Sequence, residues 1–220
     1  KKVQKDFEAT HVRPERLMKT LFTDEAYVKA NVDEARLMRR LFDLACNMQS
    51  HDTDMQLYSL FTDEECYDLW SCNNLYWYLT HACSPVTDGL MPYREADLLR
   101  NILDRADAAL KEGKNQATLR FGHESCLLPL VALLELNHYG ESYPDVEKLS
   151  EQWRAYDIFP MASNVQFVFF HKKGSNDVLV KVLLNEKEAK LPVKTDVAPY
   201  YHWKDVESYY REKLDKYQHI

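Results

Sequence analysis

In the stretch Ala117–Leu136, ATLRFGHESCLLPLVALLEL, a histidine and a carboxylate stand side by side where one kind of local pattern gives way to another. Thr118, Leu119, Arg120 and Phe121 read as a β-strand. Gly122 allows a sharp turn with the backbone close to a ligand, and Leu127–Leu136 reads as a buried helix. His123 and Glu124 therefore fall at a predicted strand-to-helix junction. The first N–H groups of a helix have no internal partner and the positive end of its dipole lies there, so a phosphate or other anion can dock beside the imidazole. A carboxyl next to bound phosphate holds its proton more firmly, because like charge disfavours the carboxylate, and a general acid needs that proton. The same residues have a structural reading, in which His123 caps the helix and Glu124 complements its dipole. Arg120 likewise has two readings, a contribution to the positive field or a surface pair with a carboxylate. The local pattern leaves both pairs of readings open.

The run LRFGHE followed by LLPLVALL resembles the C-terminal motif of the histidine acid phosphatases, specifically the multiple inositol polyphosphate phosphatase branch, which usually reads LRFGHAE before an apolar helix. This sequence departs from it. His123-Glu124-Ser125 stands where the branch has His-Ala-Glu, so Glu124 takes the position of the acid in the wider superfamily's His-Asp and Ser125 takes the position of the branch's Glu. The segments DLWSCNNLYWYL (68–79), GLMPYREADLLRNILDRAD (89–107), PMASNVQFVFF (160–170), VLLNEKEAKLPV (182–193) and APYYHWKDVESYY (198–210) resemble the same branch, its bacterial members above all. Their order and spacing follow it from about Thr20 onward.

The resemblance implies a mechanism in two halves. An Arg-His-Gly-x-Arg motif near the N-terminus of such proteins supplies a histidine nucleophile, and no Arg-His-Gly occurs here. The second half is what this chain would supply: His123 donating hydrogen bonds to the transferring phosphoryl group and Glu124 protonating the leaving alcohol, with Arg120 as a substrate-binding candidate. The implied substrates are small-molecule phosphate esters, inositol polyphosphates such as phytate and also 2,3-bisphosphoglycerate. The implied partner is the N-terminal half of the same protein. No metal cofactor is expected, since the chemistry runs through a phosphohistidine. Family members are about twice as long and carry their export signal in the preceding half, which implies a periplasmic, outer-membrane-anchored or secreted location. The chain itself opens on Lys1 and reads as a processed product or part of a longer protein. The other class of function open to it is a non-catalytic phospholigand-binding or structural module that lacks the nucleophile.

Composition agrees with a core-forming chain: 220 residues, 45% apolar and 12% aromatic. A net charge of −7 argues against general nucleic-acid or anionic-membrane binding, which needs a basic face. No apolar run reaches the roughly 18 residues of a membrane span. The five cysteines (46, 66, 72, 83 and 126) contain no CxxC pair and read mostly as core thiols, with one disulfide open if the protein is exported.

Along the chain, residues 1–10 read as a frayed start, 14–22 as a short helix, and a helix capped by Asn31 or Asp33 reaches about Met48. His51, Asp52 and Asp54 fit no closed metal template and read as a solvated turn. Thr62–Glu65 forms a capping box for a helix to about Leu79, whose stripe Leu69, Trp70, Asn73, Tyr76 and Trp77 is expected in the core. Asn73 and Asn74 are candidates for substrate contact only through the resemblance, since that helix lines the cleft in the family. A periodic helix follows over 95–110 and stops at Gly113. Residues 137–150 read as a surface insertion and a weak boundary, 164–171 and 178–184 as a β-hairpin, and 203–217 as a final helix. The lysines flanking the hairpin read as a solvated face. The predicted class is α/β, part of a histidine-phosphatase fold, with a mostly helical region over 1–113 and an α/β region over 114–220.

Overall fold

The computed structural model describes residues 1–114 and 116–217, which pack as two compact units, Lys1–Tyr76 and Trp77–Ile220. The expected division near residue 113 falls within the second unit.

The first unit is helical: α1 (Lys2–His11), α2 (Glu15–Leu21), α3 (Glu25–Asn31), α4 (Glu34–Asn47) and the greater part of α5 (Asp63–His81). Residues 2–11 are not frayed. Phe7 is buried and stacks on His11 one turn on, Gln4 donates to the Cys72 carbonyl, and Glu8 pairs with Arg39, so tertiary contacts hold a segment whose composition is polar. Asp33 caps α4 by accepting from the Arg36 N–H at 3.1 Å. The capping box of α5 closes reciprocally: Thr62 Oγ1 accepts from the Glu65 N–H, and Glu65 Oε2 accepts from the Thr62 N–H at 2.9 Å. The buried face of α5 differs from the expected stripe. Leu69, Cys72, Leu75 and Tyr78 are buried, whereas Asn73 is exposed and Tyr76 half exposed. Large apolar and aromatic residues surround this helix on every side, so spacing alone does not select the face that packs.

The second unit begins with the last turn of α5 and contains α6 (Ala96–Glu112), α7 (Glu124–Leu133), the short α8 (Leu149–Gln152) and α9 (Ala155–Ile158), the strands β1 (Val165–His171), β2 (Val178–Leu184), β3 (Lys187–Glu188) and β4 (Tyr201–His202), and α10 (Trp203–Tyr217). The sheet is antiparallel. β1 pairs with β2 from Val165 opposite Leu184 to His171 opposite Val178, and β3 and β4 pair with the two ends of the other edge of β2. Gly174, at φ +82°, supplies the left-handed residue of the hairpin turn. Residues 137–150 lie largely at the surface, as expected, and are anchored to the body of the unit. Tyr139 is buried, and the Tyr78 hydroxyl, itself fully buried, accepts from the Tyr143 N–H at 2.7 Å and donates to the Tyr143 carbonyl. Those backbone groups find a partner far away in the chain, which local composition does not announce.

Candidate active site

Helix α7 carries the sequence's central motif, and its two ends are built differently. Leu128, Val131, Ala132, Leu133 and Leu134 are buried almost completely, which secures the body of the helix in the core. Its C-terminal end closes as a Schellman motif: the Leu136 N–H returns to the Val131 carbonyl and the Glu135 N–H to the Ala132 carbonyl. The left-handed position there is occupied by Glu135, at φ +53°, where glycine is usual. Its neighbours hold it in place. Glu135 accepts from the Tyr209 hydroxyl and pairs with Lys213 at 3.1 Å, while the Tyr210 hydroxyl and Lys213 Nζ donate to the Leu134 and Leu133 carbonyls at 2.7 Å. Gly140 packs directly on Glu135, where any Cβ would come within 2.6 Å of the Glu135 side chain. Helix α10 therefore clamps the base of α7.

The N-terminal end of α7 is open. His123 occupies the N-cap position in extended conformation, its side chain makes no capping bond, and both His123 and Glu124 are exposed. The capping reading of His123 is thus not the one realised; the ring is left toward solvent beside the unpaired helical N–H groups. Glu124 is the first helical residue, where its charge complements the dipole while its carboxyl remains accessible. Arg120 lies in the segment leading to the helix, and its guanidinium donates to the Asn101 side chain on α6 at 2.8 Å.

That leading segment departs from expectation. Residues 116–122 belong to no strand or helix, and Leu119 and Phe121 are 75% and 93% exposed. The residue pattern is that of a strand, but a strand exists only when another lines up beside it, and among the described residues none does.

Around the helix start the structure gathers residues that the sequence reading did not single out. The turn Met91–Glu95 packs against α7 and carries Arg94. His81, buried at the end of α5, lies within the fields of both Arg94 and Glu124. Burial and the Arg94 guanidinium push its imidazole below the ordinary value, and Glu124 pulls the other way. Thr80 Oγ1 lies 2.7 Å from His81 Nδ1. The only sequence signal for His81 was a histidine in the last turn of a helix, which by itself marks a favourable dipole contact. Of the two asparagines on α5, Asn73 is exposed and Asn74 is buried.

The lysines flanking the hairpin are a mostly solvated face. Lys172, Lys173, Lys187, Lys190 and Lys194 are exposed, and Lys181 pairs with Glu188 at 3.2 Å. Among the described residues no group of three His, Cys, Asp or Glu side chains is arranged to hold a metal ion, and the five cysteines are free thiols.

Residues 2–185 match the histidine phosphatase superfamily (branch 2). The human multiple inositol polyphosphate phosphatase 1 is 28% identical over 134 residues, which is 55% of this chain and 27% of the human protein. The multiple inositol polyphosphate phosphatase of Bifidobacterium longum shares the fold. Its phosphate complex superposes with a TM-score of 0.71 at 21% identity over 82% of this chain and 40% of its own. Its inositol hexasulfate complex gives 0.66 at 21% identity over 80% and 38%. The chain thus spans well under half the length of these relatives.

Proposed function

The chain belongs to branch 2 of the histidine phosphatase superfamily, and from that premise we propose that it is the acid-donating part of a phosphomonoesterase acting on inositol polyphosphates through a phosphohistidine. The observation that carries the proposal is the start of α7, where an uncapped histidine and an accessible carboxylate stand at exposed helical N–H groups on a rigidly anchored helix. The nucleophile would come from an Arg-His-Gly-x-Arg segment, which this sequence does not contain. In the first step the nucleophilic nitrogen bonds to phosphorus, the phosphorus–oxygen bond to the inositol breaks, and Glu124 gives its proton to the leaving oxygen. In the second, Glu124 takes a proton from water as the water oxygen bonds to phosphorus, the phosphorus–nitrogen bond breaks with its electron pair returning to the nucleophilic histidine, and inorganic phosphate leaves. His123 donates to a phosphoryl oxygen in both steps, and the α7 N–H groups share that charge.

The substrate class is supported by the relatives, which are named for inositol polyphosphates, the Bifidobacterium longum protein being seen with inositol hexasulfate and with phosphate; 2,3-bisphosphoglycerate is a second ester of the same class. Arg120, held by Asn101, would border the substrate. Export to the periplasm, outer membrane or medium belongs to the same proposal, with the signal in a preceding segment.

The exposure of Leu119 and Phe121 favours this reading over a self-sufficient binding module, which has no reason to leave a Leu-x-Phe pair facing water. The test is phosphate release from phytate by the 220-residue chain and by a longer chain that includes the Arg-His-Gly-x-Arg segment. The short chain is expected at background. In the longer chain Glu124→Gln is expected to lower kcat by about 10²–10⁴-fold, with much of the loss recovered on p-nitrophenyl phosphate, whose leaving group needs no proton. Turnover of phytate by the short chain at about 1 s⁻¹ or faster, within the ordinary enzyme range, would overturn the proposal.

A further inference from the structure

His202, the last residue before α10, stands between two carboxylates. Its Nδ1 lies 3.1 and 3.0 Å from the two oxygens of Asp177, and its Nε2 lies 2.9 Å from Asp196 Oδ1. A carboxylate only accepts hydrogen bonds, whereas a neutral imidazole donates from one nitrogen and presents a lone pair at the other. Both contacts are therefore satisfied together only when the ring carries two protons. In the neutral ring, whichever tautomer forms, one lone pair faces a negative oxygen.

The two acidic residues belong to separate segments, which the Phe170–Tyr200 ring contact also joins. Asp177 ends the hairpin turn and precedes β2; Asp196 lies in the connection that runs from β3 to β4. His202 is held by the pairing of β4 with β2, opposite Leu179. Its neighbours on the sheet are otherwise engaged, His171 with the Ser175 carbonyl and Lys181 with Glu188. Lys204 and Asp205, which follow on α10, are exposed. Asp177 and Asp196 are thus the charged groups that face the ring.

We infer that His202 is a proton-dependent clasp that fastens the hairpin turn and the 191–200 connection to the head of α10 under acid conditions and lets them go as the medium turns alkaline. The helix it steadies is the one whose Tyr210 and Lys213 hold the base of α7, so the clasp stiffens the frame beneath His123 and Glu124. The direction of the titration agrees: Asp177, then Asp196, raise the imidazole above its ordinary value, and His202 holds Asp196 below the usual carboxylate range. For a base raised on folding, the stabilising contribution is complete below the unfolded value and disappears as pH rises through the folded one.

The experiment is ring ¹⁵N NMR on the full chain with labelled histidine, across pH 5 to 9, in the native sequence and in Asp177→Asn with Asp196→Asn. His202 is expected to keep both ring protons to a higher pH than a free imidazole, and to return to the ordinary value in the double variant. Titration at or below the ordinary value in the native chain, or no change in the variant, overturns the inference. A second reading uses amide hydrogen exchange at residues 172–177 and 194–200, native against His202→Gln at matched pH. Protection about two- to fivefold greater in the native chain at pH 5.5, the size expected of a solvent-exposed ion pair, and vanishing by pH 9 is the expected result. A difference independent of pH would reduce His202 to a packing residue and overturn the clasp.

Discussion

Replacing Leu119 and Phe121 together by alanine tests whether residues 118–121 pair as a strand in a longer chain. In this structure the two side chains are 75% and 93% exposed and the backbone between them belongs to no strand. Removing them takes almost no apolar surface out of a packed environment, so the 220-residue chain should lose no more than the ±0.5 kcal/mol or so typical of surface substitutions. If the segment becomes a sheet strand in a longer chain, both side chains enter a core. Truncating a buried leucine to alanine costs about 2–5 kcal/mol and a buried phenylalanine about 3–5 kcal/mol. Even the lower ends sum to about 5 kcal/mol, which is comparable to the whole stability of an ordinary domain. Equilibrium unfolding in urea, followed by tryptophan fluorescence, measures both cases. The substitutions should leave the midpoint of the short chain where it was and displace that of the longer chain strongly. A loss of several kcal/mol in the short chain would show that Leu119 and Phe121 are already packed. No loss in the longer chain would show that they never pack. Either result would refute the reasoning that this segment is a strand awaiting its neighbour.

Two further outcomes test the frame. Thr62→Ala removes the side-chain half of the α5 capping box and should cost about 1 kcal/mol in thermal unfolding, with Thr62→Ser restoring most of it. His81 carries the opposite pH sign to His202: it is held below its ordinary value of 6.5, so the unfolded chain binds its proton first and stability falls as pH drops below that value. His81→Gln should flatten that acid limb of the pH–stability curve, and an unchanged limb would show that burial does not hold the His81 imidazole below its ordinary value.

Much of the architecture could be read locally. The Thr62–Glu65 box, the Asp33 cap, the hairpin around Gly174, the stop at Gly113 and the helix over 203–217 all occur where the residues placed them, because each is decided by groups within a few positions of one another. The same holds for the start of the helix at His123-Glu124, which occurs where the residue types placed it. Nonlocal contacts decided the rest. Polar residues 2–11 are helical because Phe7 finds a core, and 137–150 are pinned because Tyr143 meets Tyr78. The buried side of α5 was set by its neighbours, as spacing could not choose among apolar residues on every side. Leu119–Phe121 has a strand's alternation without a strand's partner, so its pattern stays unrealised. The strained Glu135 and the contact of His202 with Asp177 could not be foreseen, since their partners lie tens of positions away. Sequence by itself determined which segments prefer helix or hairpin and which residues could transfer a proton. Tertiary structure decided which of those preferences find a partner, because burial and hydrogen bonding between distant segments outweigh local propensities of a few tenths of a kcal/mol per residue.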